Sequence, residues 1–376
     1  PNIINGKDIM ACAQTGSGKT GAYAIPIIHK LIEEGCEAEE GDAPLVPECL
    51  VLAPTRELVQ QIQKDFVKLC RGTSIACNYI VGGHAVRPQL ERILGGTNVL
   101  VATPGRLNDF VGKNKIDLSS LKFLVLDEAD RMLDMGFKGI LDGMQDKLAD
   151  KDERTTLMFS ATFEAEVQEL GKEMLKEDYL FIAIGIVGGA CSTVAQTIIS
   201  CEKKEKFDKL KEILEPAKEN QERTLIFVET KRQTDYLASK LCQLEYPATS
   251  IHGDRDQRLR EQALADFKSG EAPILIATNV AARGIDIPNV KHVVNFELPK
   301  EIGEYVHRIG RTGRCGNRGK ATSFFDPESD VDSTVKPALV KILSDAQQEV
   351  PDFLKGDGGA VSAVQEQACS PCFSKR

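Results

Sequence analysis

Short apolar runs recur along the chain and alternate with stretches whose apolar positions fall three and four residues apart. The runs of the first half are 8–13, 49–53, 75–81, 99–102, 123–126 and 156–159, with amphipathic segments at 57–70 and 86–94 between them. The second half repeats the alternation, with runs at 224–228, 248–251, 274–277, 292–295 and 321–325. Its helical patterns cover 232–244, 257–267 and 304–309. A short, continuous apolar run reads as a strand buried on both faces, which is what a parallel sheet produces. Strands alternating with helices of this length predict α/β architecture with parallel sheets, in two copies.

The boundary between the copies falls in an uncharged stretch from Tyr179 to Cys201. Its length and lack of charge superficially suit a membrane span. Gly185, Gly188 and Gly189, followed by Ser192, Thr193, Gln196 and Thr197, break it into two β-like runs, 180–184 and 196–199. The better reading is strand, linker, strand. The expected organisation is a first domain over 1–184, a linker over 185–195, a second domain over 196–350 and a disordered tail over 351–376. A length of 376 residues supports two domains. The acidic segment 33–48, with two prolines, is expected to be an exposed loop.

Composition narrows the function. With 42% hydrophobic and 27% charged residues the chain is neither wholly disordered, collagen-like nor membrane-embedded. The absence of Trp and only 6% aromatics argue against a carbohydrate-binding or aromatic-cage protein. Against 47 Lys and Arg stand 56 Asp and Glu, a net charge of −9, which disfavours nucleic-acid binding by bulk charge. A local basic groove on an acidic body remains open. Eleven scattered Cys, an odd number without zinc spacing, read as thiols of a reducing compartment. The one CxxC, Cys369 to Cys372, reads as a chance spacing. The chain opens at Pro1 with no signal-peptide pattern and reads as a piece of something longer.

The strongest local chemistry is Ala13-Gln14-Thr15-Gly16-Ser17-Gly18-Lys19-Thr20, directly after an apolar run. Such glycines let backbone N–H groups turn inward around phosphates, and a following helix adds its positive end. Gln14, Thr15, Gly16, Ser17 and Gly18 then line the phosphate loop. Lys19 reaches the β and γ phosphates, and the Thr20 hydroxyl holds Mg²⁺. A plain glycine-rich turn is the bland alternative, and the intact Gly-Ser-Gly-Lys-Thr outweighs it. A phosphate loop also needs an acidic partner at the end of a neighbouring strand. Asp127 suits Mg²⁺ through a water, and Glu128 suits the base that deprotonates the attacking water. Elsewhere Asp-Glu after a strand is usually a solvated loop. The second half lacks a phosphate loop, so one nucleotide site is expected. It offers His307-Arg308-Ile309-Gly310-Arg311-Thr312-Gly313-Arg314, in a segment, 299–320, with six Lys/Arg against two Asp/Glu. Arg311 and Arg314 fit arginine fingers that neutralise charge in phosphoryl transfer; the bland reading is a solvated basic helix.

Asp127-Glu128-Ala129-Asp130 spells DEAD, and the whole chain except its tail resembles a DEAD-box RNA helicase. The family's remaining motifs stand in its order: Pro54-Thr55-Arg56-Glu57-Leu58, Gly82-Gly83, Thr103-Pro104-Gly105-Arg106 and Ser160-Ala161-Thr162. Leu225-Ile226-Phe227-Val228, Thr278-Asn279-Val280-Ala281-Ala282-Arg283-Gly284-Ile285-Asp286 and His307–Arg314 follow. Residues 185–191, 315–320 and 344–354 resemble the Vasa subfamily, in stretches that a neighbouring subfamily largely shares. The resemblance implies two RecA-like domains in tandem, ATP and Mg²⁺ between them, and RNA lying across both on another face. By the same resemblance Asp286 contacts the ribose, and Ser160, Thr162 and His307 couple the halves. Pro54, Thr55, Arg56, Gly83, Thr103, Arg106, Arg255 and Thr278 face RNA, through phosphates and 2′-hydroxyls. Taken singly, each is more often a turn or cap residue. The family's adenine-reading aromatic and Gln, upstream of the phosphate loop, are expected to be missing from a chain that opens at Pro1.

The leading expectation is an RNA-dependent ATPase that separates short duplexes, closing on RNA with ATP and releasing after hydrolysis. The resemblance further implies a monomer acting in germline RNA regulation, cytoplasmic or in perinuclear ribonucleoprotein granules with their proteins, and no membrane. An ATP-gated RNA clamp that scaffolds such a granule is the second reading. A DNA helicase or remodeller of the same architecture is the third.

Overall fold

The computed structural model describes residues 1–13, 17–38, 40–41, 44–184, 193–219, 222–279, 290–313 and 317–355, without the side chains of 217–219. Seven strands form the first sheet: β1 (Ile9–Ala13), β2 (Cys49–Leu52), β3 (Cys77–Ile80), β4 (Val99–Ala102), β5 (Phe123–Leu126), β6 (Thr155–Ser160) and β7 (Leu180–Ile184). Their spatial order is β3-β4-β2-β5-β6-β1-β7, and every pairing is parallel. Six more strands form the second: β8 (Val194–Ser200), β9 (Arg223–Val228), β10 (Ala248–Ile251), β11 (Ile274–Thr278), β12 (Val290–Asn295) and β13 (Gly319–Phe325). Their order is β10-β11-β9-β12-β13-β8, again all parallel.

Side-chain alternation explains why these runs carry no polar face. On β2, Cys49 and Val51 enter one core layer, while Leu50 and Leu52 enter the layer on the opposite face. On β5, Phe123 and Val125 divide from Leu124 and Leu126 in the same way. Helices cover both faces, so each residue is buried, and each such side chain contributes about 1.5–3 kcal/mol.

The helices of the first half are α1 (Lys19–Glu33), α2 (Arg56–Leu69), α3 (Val86–Leu94), α4 (Pro104–Gly112), α5 (Ala129–Asp134), α6 (Lys138–Asp142) and α7 (Ala165–Met174). Those of the second are α8 (Lys206–Glu219), α9 (Lys231–Gln243), α10 (Gln257–Ser269), α11 (Ile302–Ile309) and α12 (Asp330–Asp345). Because each strand runs the same way, the loops that follow them collect at one edge of each sheet. That carboxyl edge is where open α/β sheets bind ligands. The loop after β1, Pro54–Arg56 after β2, Gly82–Gly83 after β3, Thr103 after β4, Asp127–Asp130 after β5 and Ser160–Thr162 after β6 all lie there.

Several expectations need correction. The strand expected over 75–81 shortens to Cys77–Ile80, although Ile75 and Val81 are buried beyond its ends. The expected linker over 185–195 ends sooner, because fully buried Val194 already pairs with Gly319. Residues 185–192 lie outside the described residues. Residues 351–355, expected within the disordered tail, belong to the folded second half. Asp352–Leu354 forms a 3₁₀ turn that buries Leu354 in the second domain's core and sets Phe353 against Phe325, ring centroids 5.9 Å apart. Those two apolar residues are outvoted in a composition taken over the whole segment. Residues 356–376, with the CxxC, lie outside the described residues. No described helix is long and apolar enough to cross a membrane.

Candidate active site

The nucleotide end is built where β1 runs into α1. Gly18, at the N-cap of α1, has φ 87°, a left-handed conformation that glycine adopts without penalty. Gln14, Thr15 and Gly16 lie outside the described residues, and exposed Ser17 leads into Gly18. Lys19 begins the helix and folds its Nζ back to the Ala13 carbonyl, 3.1 Å away. Thr20 follows it on the first turn of α1.

Asp127 and Glu128 follow directly on the end of β5. Asp127 is 3% exposed, and its Oδ2 accepts a 2.9 Å hydrogen bond from the buried Tyr23 hydroxyl. Burial pushes its carboxyl above the ordinary value, while the Lys19 charge and the Tyr23 bond pull the other way. Glu128 has φ 55°, a left-handed conformation that costs a residue with a Cβ on the order of 1–3 kcal/mol. It is buried, and its Oε2 has no hydrogen-bond partner. A buried acceptor left without a donor fits a group waiting for a ligand or its attacking water. Among the described residues no three His, Cys, Asp or Glu cluster to hold a metal alone. A Mg²⁺ at Thr20 and Asp127 thus fits as an ion that takes further oxygens from phosphate and water, as Mg²⁺ usually does.

Asp130 joins the halves. Its Oδ2 accepts from the Ala161 and Thr162 backbone N–H groups, both at 3.1 Å, and from Thr162 Oγ1 at 3.2 Å. Ser160 Oγ accepts a second, 3.3 Å bond from the Thr162 N–H. From α11, His307 Nε2 reaches the same Asp130 oxygen at 3.5 Å. Burial raises the Asp130 carboxyl, but the His307 contact and the Arg131 and Lys19 charges outweigh it and leave it below the usual carboxylate range. Burial and the Arg131 charge push His307 down, against the pull of Asp130 and Glu128.

The basic run divides into distinct roles. Arg308 is a buried brace that donates to Asn295 Oδ1 at 3.2 Å, to the Glu297 carbonyl at 2.6 Å and to Asn279, over the Phe227 ring. Arg311 is 5% exposed, with its Nε 3.3 Å from the His307 carbonyl. Arg314 and Asp286 lie outside the described residues.

A cleft of about 490 Å³ opens beside this junction, walled by Pro54, Thr55, Arg56, Thr103 and Arg106, with Arg260 from the second half. Thr55 caps α2 by accepting from the Leu58 N–H at 3.3 Å, which aims Arg56 along the cleft. Gly83 (φ 78°) lies so close that a Cβ there would overlap the Arg56 guanidinium. Arg106 Nη2 donates to the His84 carbonyl at 3.1 Å, while its buried Nη1 has no partner. Two polar pairs cross between the halves here: Arg56 Nη1 donates to Gln257 Oε1 at 3.2 Å, and Glu57 meets Arg260 at 2.5 Å. Arg255 is tied back to Ser250, through its carbonyl and its Oγ. Thr278 is buried at the end of β11.

Residues 1–170 match the DEAD/DEAH box helicase family, and residues 205–316 the helicase conserved C-terminal domain. A probable ATP-dependent RNA helicase DDX4 of Pelophylax lessonae is 52% identical over 377 residues, covering 100% of this chain and 52% of its own length. The ATP-dependent RNA helicase vasa of Drosophila melanogaster is 52% identical, over 96% of this chain and 54% of its own length. Among solved structures, S. cerevisiae Dbp5 bound to RNA and ADP BeF3 has TM-score 0.77 and 30% identity, covering 90% of this chain and 84% of that one. The chain belongs to the DEAD-box helicase family. Within it, the similarity lies with the DDX4 and Vasa members. The chain spans about half the length of these curated relatives.

In this DEAD-box chain the structure brings Lys19, Thr20, Asp127 and Glu128 to one end of the junction between the halves. It brings Thr162 and His307 onto Asp130, sets Ser160 against the Thr162 N–H, and brings Pro54, Thr55, Arg56, Thr103 and Arg106 onto one cleft beside Gly83. It does not bring the Arg255 guanidinium into that cleft's lining. Sequence reasoning missed Glu57, Gln257, Arg260 and the hydroxyl of Tyr23. A Gln and an Arg three apart at a helix start are a signal only once their partners across the junction are known.

Proposed function

We propose that this chain is an RNA-dependent ATPase that separates short RNA duplexes and remodels RNA–protein complexes. The observation that carries the reading is the junction itself. Asp130, inside the DEAD tetrad, contacts His307 of the second half, while the adjoining cleft takes walls from both halves. One closure therefore assembles a nucleotide site and an RNA track together, which is what coupling between them requires.

In this reading Lys19 and the loop before it bind the phosphates. Glu128, with its unpartnered Oε2, takes the proton of the attacking water. Arg311, with Arg314 beside it in sequence, offsets the charge that develops on the transferred phosphoryl group. Thr20 and Asp127 would hold Mg²⁺, which supplies positive charge against the β and γ phosphates. RNA is held by its backbone, since the cleft residues are hydroxyls, arginines and backbone groups suited to phosphate and 2′-OH, giving little dependence on base sequence. The similarity to DDX4 and Vasa supports a germline RNA role, in the cytoplasm or perinuclear ribonucleoprotein granules with their proteins, for a chain acting as a monomer.

Multiple-turnover ATP hydrolysis, measured alone, with single-stranded RNA and with DNA of the same sequence, tests the reading. RNA should stimulate turnover and DNA should not. Single turnover with RNA retained indicates a clamp, and equal stimulation by DNA indicates a DNA remodeller.

A further inference from the structure

Tyr23 is completely buried in the second turn of α1, between the rings of Phe66 and Phe159. A phenylalanine would serve that packing equally, so the hydroxyl is the feature to explain. It does not point at a backbone group. It donates to Asp127 Oδ2 at 2.9 Å, and Thr20 stands one turn earlier on the same helix. The direction of that bond is fixed, because a carboxylate can only accept.

We propose that Tyr23 is a positioning residue for the cation site, its hydroxyl holding the Asp127 carboxylate in the orientation that receives Mg²⁺ beside the nucleotide. This rests on the reading of Thr20 and Asp127 given above. Three consequences of the geometry support it. The bond occupies one Asp127 oxygen, Oδ2, and leaves Oδ1 outside it. It gives the buried Asp127 carboxylate a donor in place of the water that burial removes. It also ties the Asp127 side chain, just past the end of β5, to a rigid aromatic ring on α1. Hydrogen bonds that orient a liganding carboxylate typically change metal affinity by about 10–100-fold when removed.

The test is Tyr23→Phe, which keeps the ring and removes the oxygen. Binding of a fluorescent ADP analogue, titrated with Mg²⁺ in the absence of turnover, gives the Mg²⁺ concentration for half of the metal-dependent gain in affinity. That concentration should rise about tenfold in Y23F, while affinity for the analogue in EDTA stays unchanged. ATPase activity should recover as Mg²⁺ is raised. Tyr246→Phe, which removes a phenol–carboxylate contact to Glu215 in the second half, is the control and should shift nothing. A thermal melt without nucleotide reads any packing loss separately. The proposal is overturned if Y23F and the parent chain share one Mg²⁺ dependence, or if Y23F loses affinity equally in EDTA. If the parent chain itself shows no Mg²⁺-dependent gain, the reading of the cation site fails first and the proposal falls with it.

Discussion

A glutamate held in a left-handed backbone conformation, buried, with one carboxylate oxygen unpartnered, is locally unfavourable, and the loss is tolerated where the group has work to do. Glu128→Gln keeps the shape and removes the base. Turnover should fall about 10²–10⁴-fold while nucleotide still binds; single-turnover hydrolysis beside equilibrium binding checks it, and near-normal turnover would remove Glu128 from the chemistry. Gly83 supplies a second case. Its φ of 78° disfavours any side chain, and a Cβ would push the Arg56 guanidinium off Gln257. Because the displaced atoms end a flexible chain, the fold should survive Gly83→Ala. RNA affinity in the presence of a non-hydrolysable ATP analogue should drop about tenfold, with a salt dependence shallower by about one phosphate contact. Anisotropy of a labelled RNA at several salt concentrations reads both, and unchanged binding would take Arg56 off the RNA path.

At the scale of elements, the parallel sheets explain what the sequence could disclose. Strands buried on both faces leave short apolar runs, so β2, β4 and β5 were legible almost to the residue. Ends were less so: Ile75 and Val81 are as buried as strand residues but lie outside the β3 ladder. Helices α4 and α5 escaped notice because they are short and begin inside motifs that read as loops. The cross-junction pairs were illegible, since Arg56 and Gln257 stand 201 positions apart and meet only when two finished sheets dock. Tyr23 reads as one more core aromatic until Asp127 is placed beside it. Element packing also sets a pH dependence. On β12, His292 bonds Thr322 of the neighbouring β13 at 2.8 Å, and burial, helped by the Lys320 charge, lowers its pKa to about 4. The unfolded chain binds that proton near pH 6.5, so stability is full above that value and is lost as pH falls toward 4, by up to about 3 kcal/mol. His292→Gln should flatten the difference between urea titrations at pH 7 and pH 4.5. A variant that loses as much as the parent chain would clear His292 of the effect.

At the scale of the molecule, polar pairs among the described residues join the two halves at two places, one beside each proposed ligand site. Asp130 with His307 lies beside the proposed nucleotide residues; Glu57 with Arg260 lies in the wall of the cleft proposed for RNA. The side chains of that second pair are only 9% and 13% exposed, so closure takes both charges largely out of water. Such a pair contributes little net energy when intact, but removing one partner strands the other and costs about 2–5 kcal/mol. Arg260→Ala should therefore raise the RNA concentration for half-maximal ATPase stimulation at least about tenfold. Basal turnover without RNA should hardly move, because Lys19, Asp127 and Glu128 are untouched. Since Arg260 also faces the cleft, a direct RNA contact could give the same loss, and the double substitution separates the two. If the pair closes the molecule, Arg260→Ala should cost much less in a Glu57→Gln background, where no charge is left stranded. If Arg260 acts on RNA alone, its substitution should cost the same in both backgrounds, and the pair would then be a passive consequence of docking, not part of the coupling.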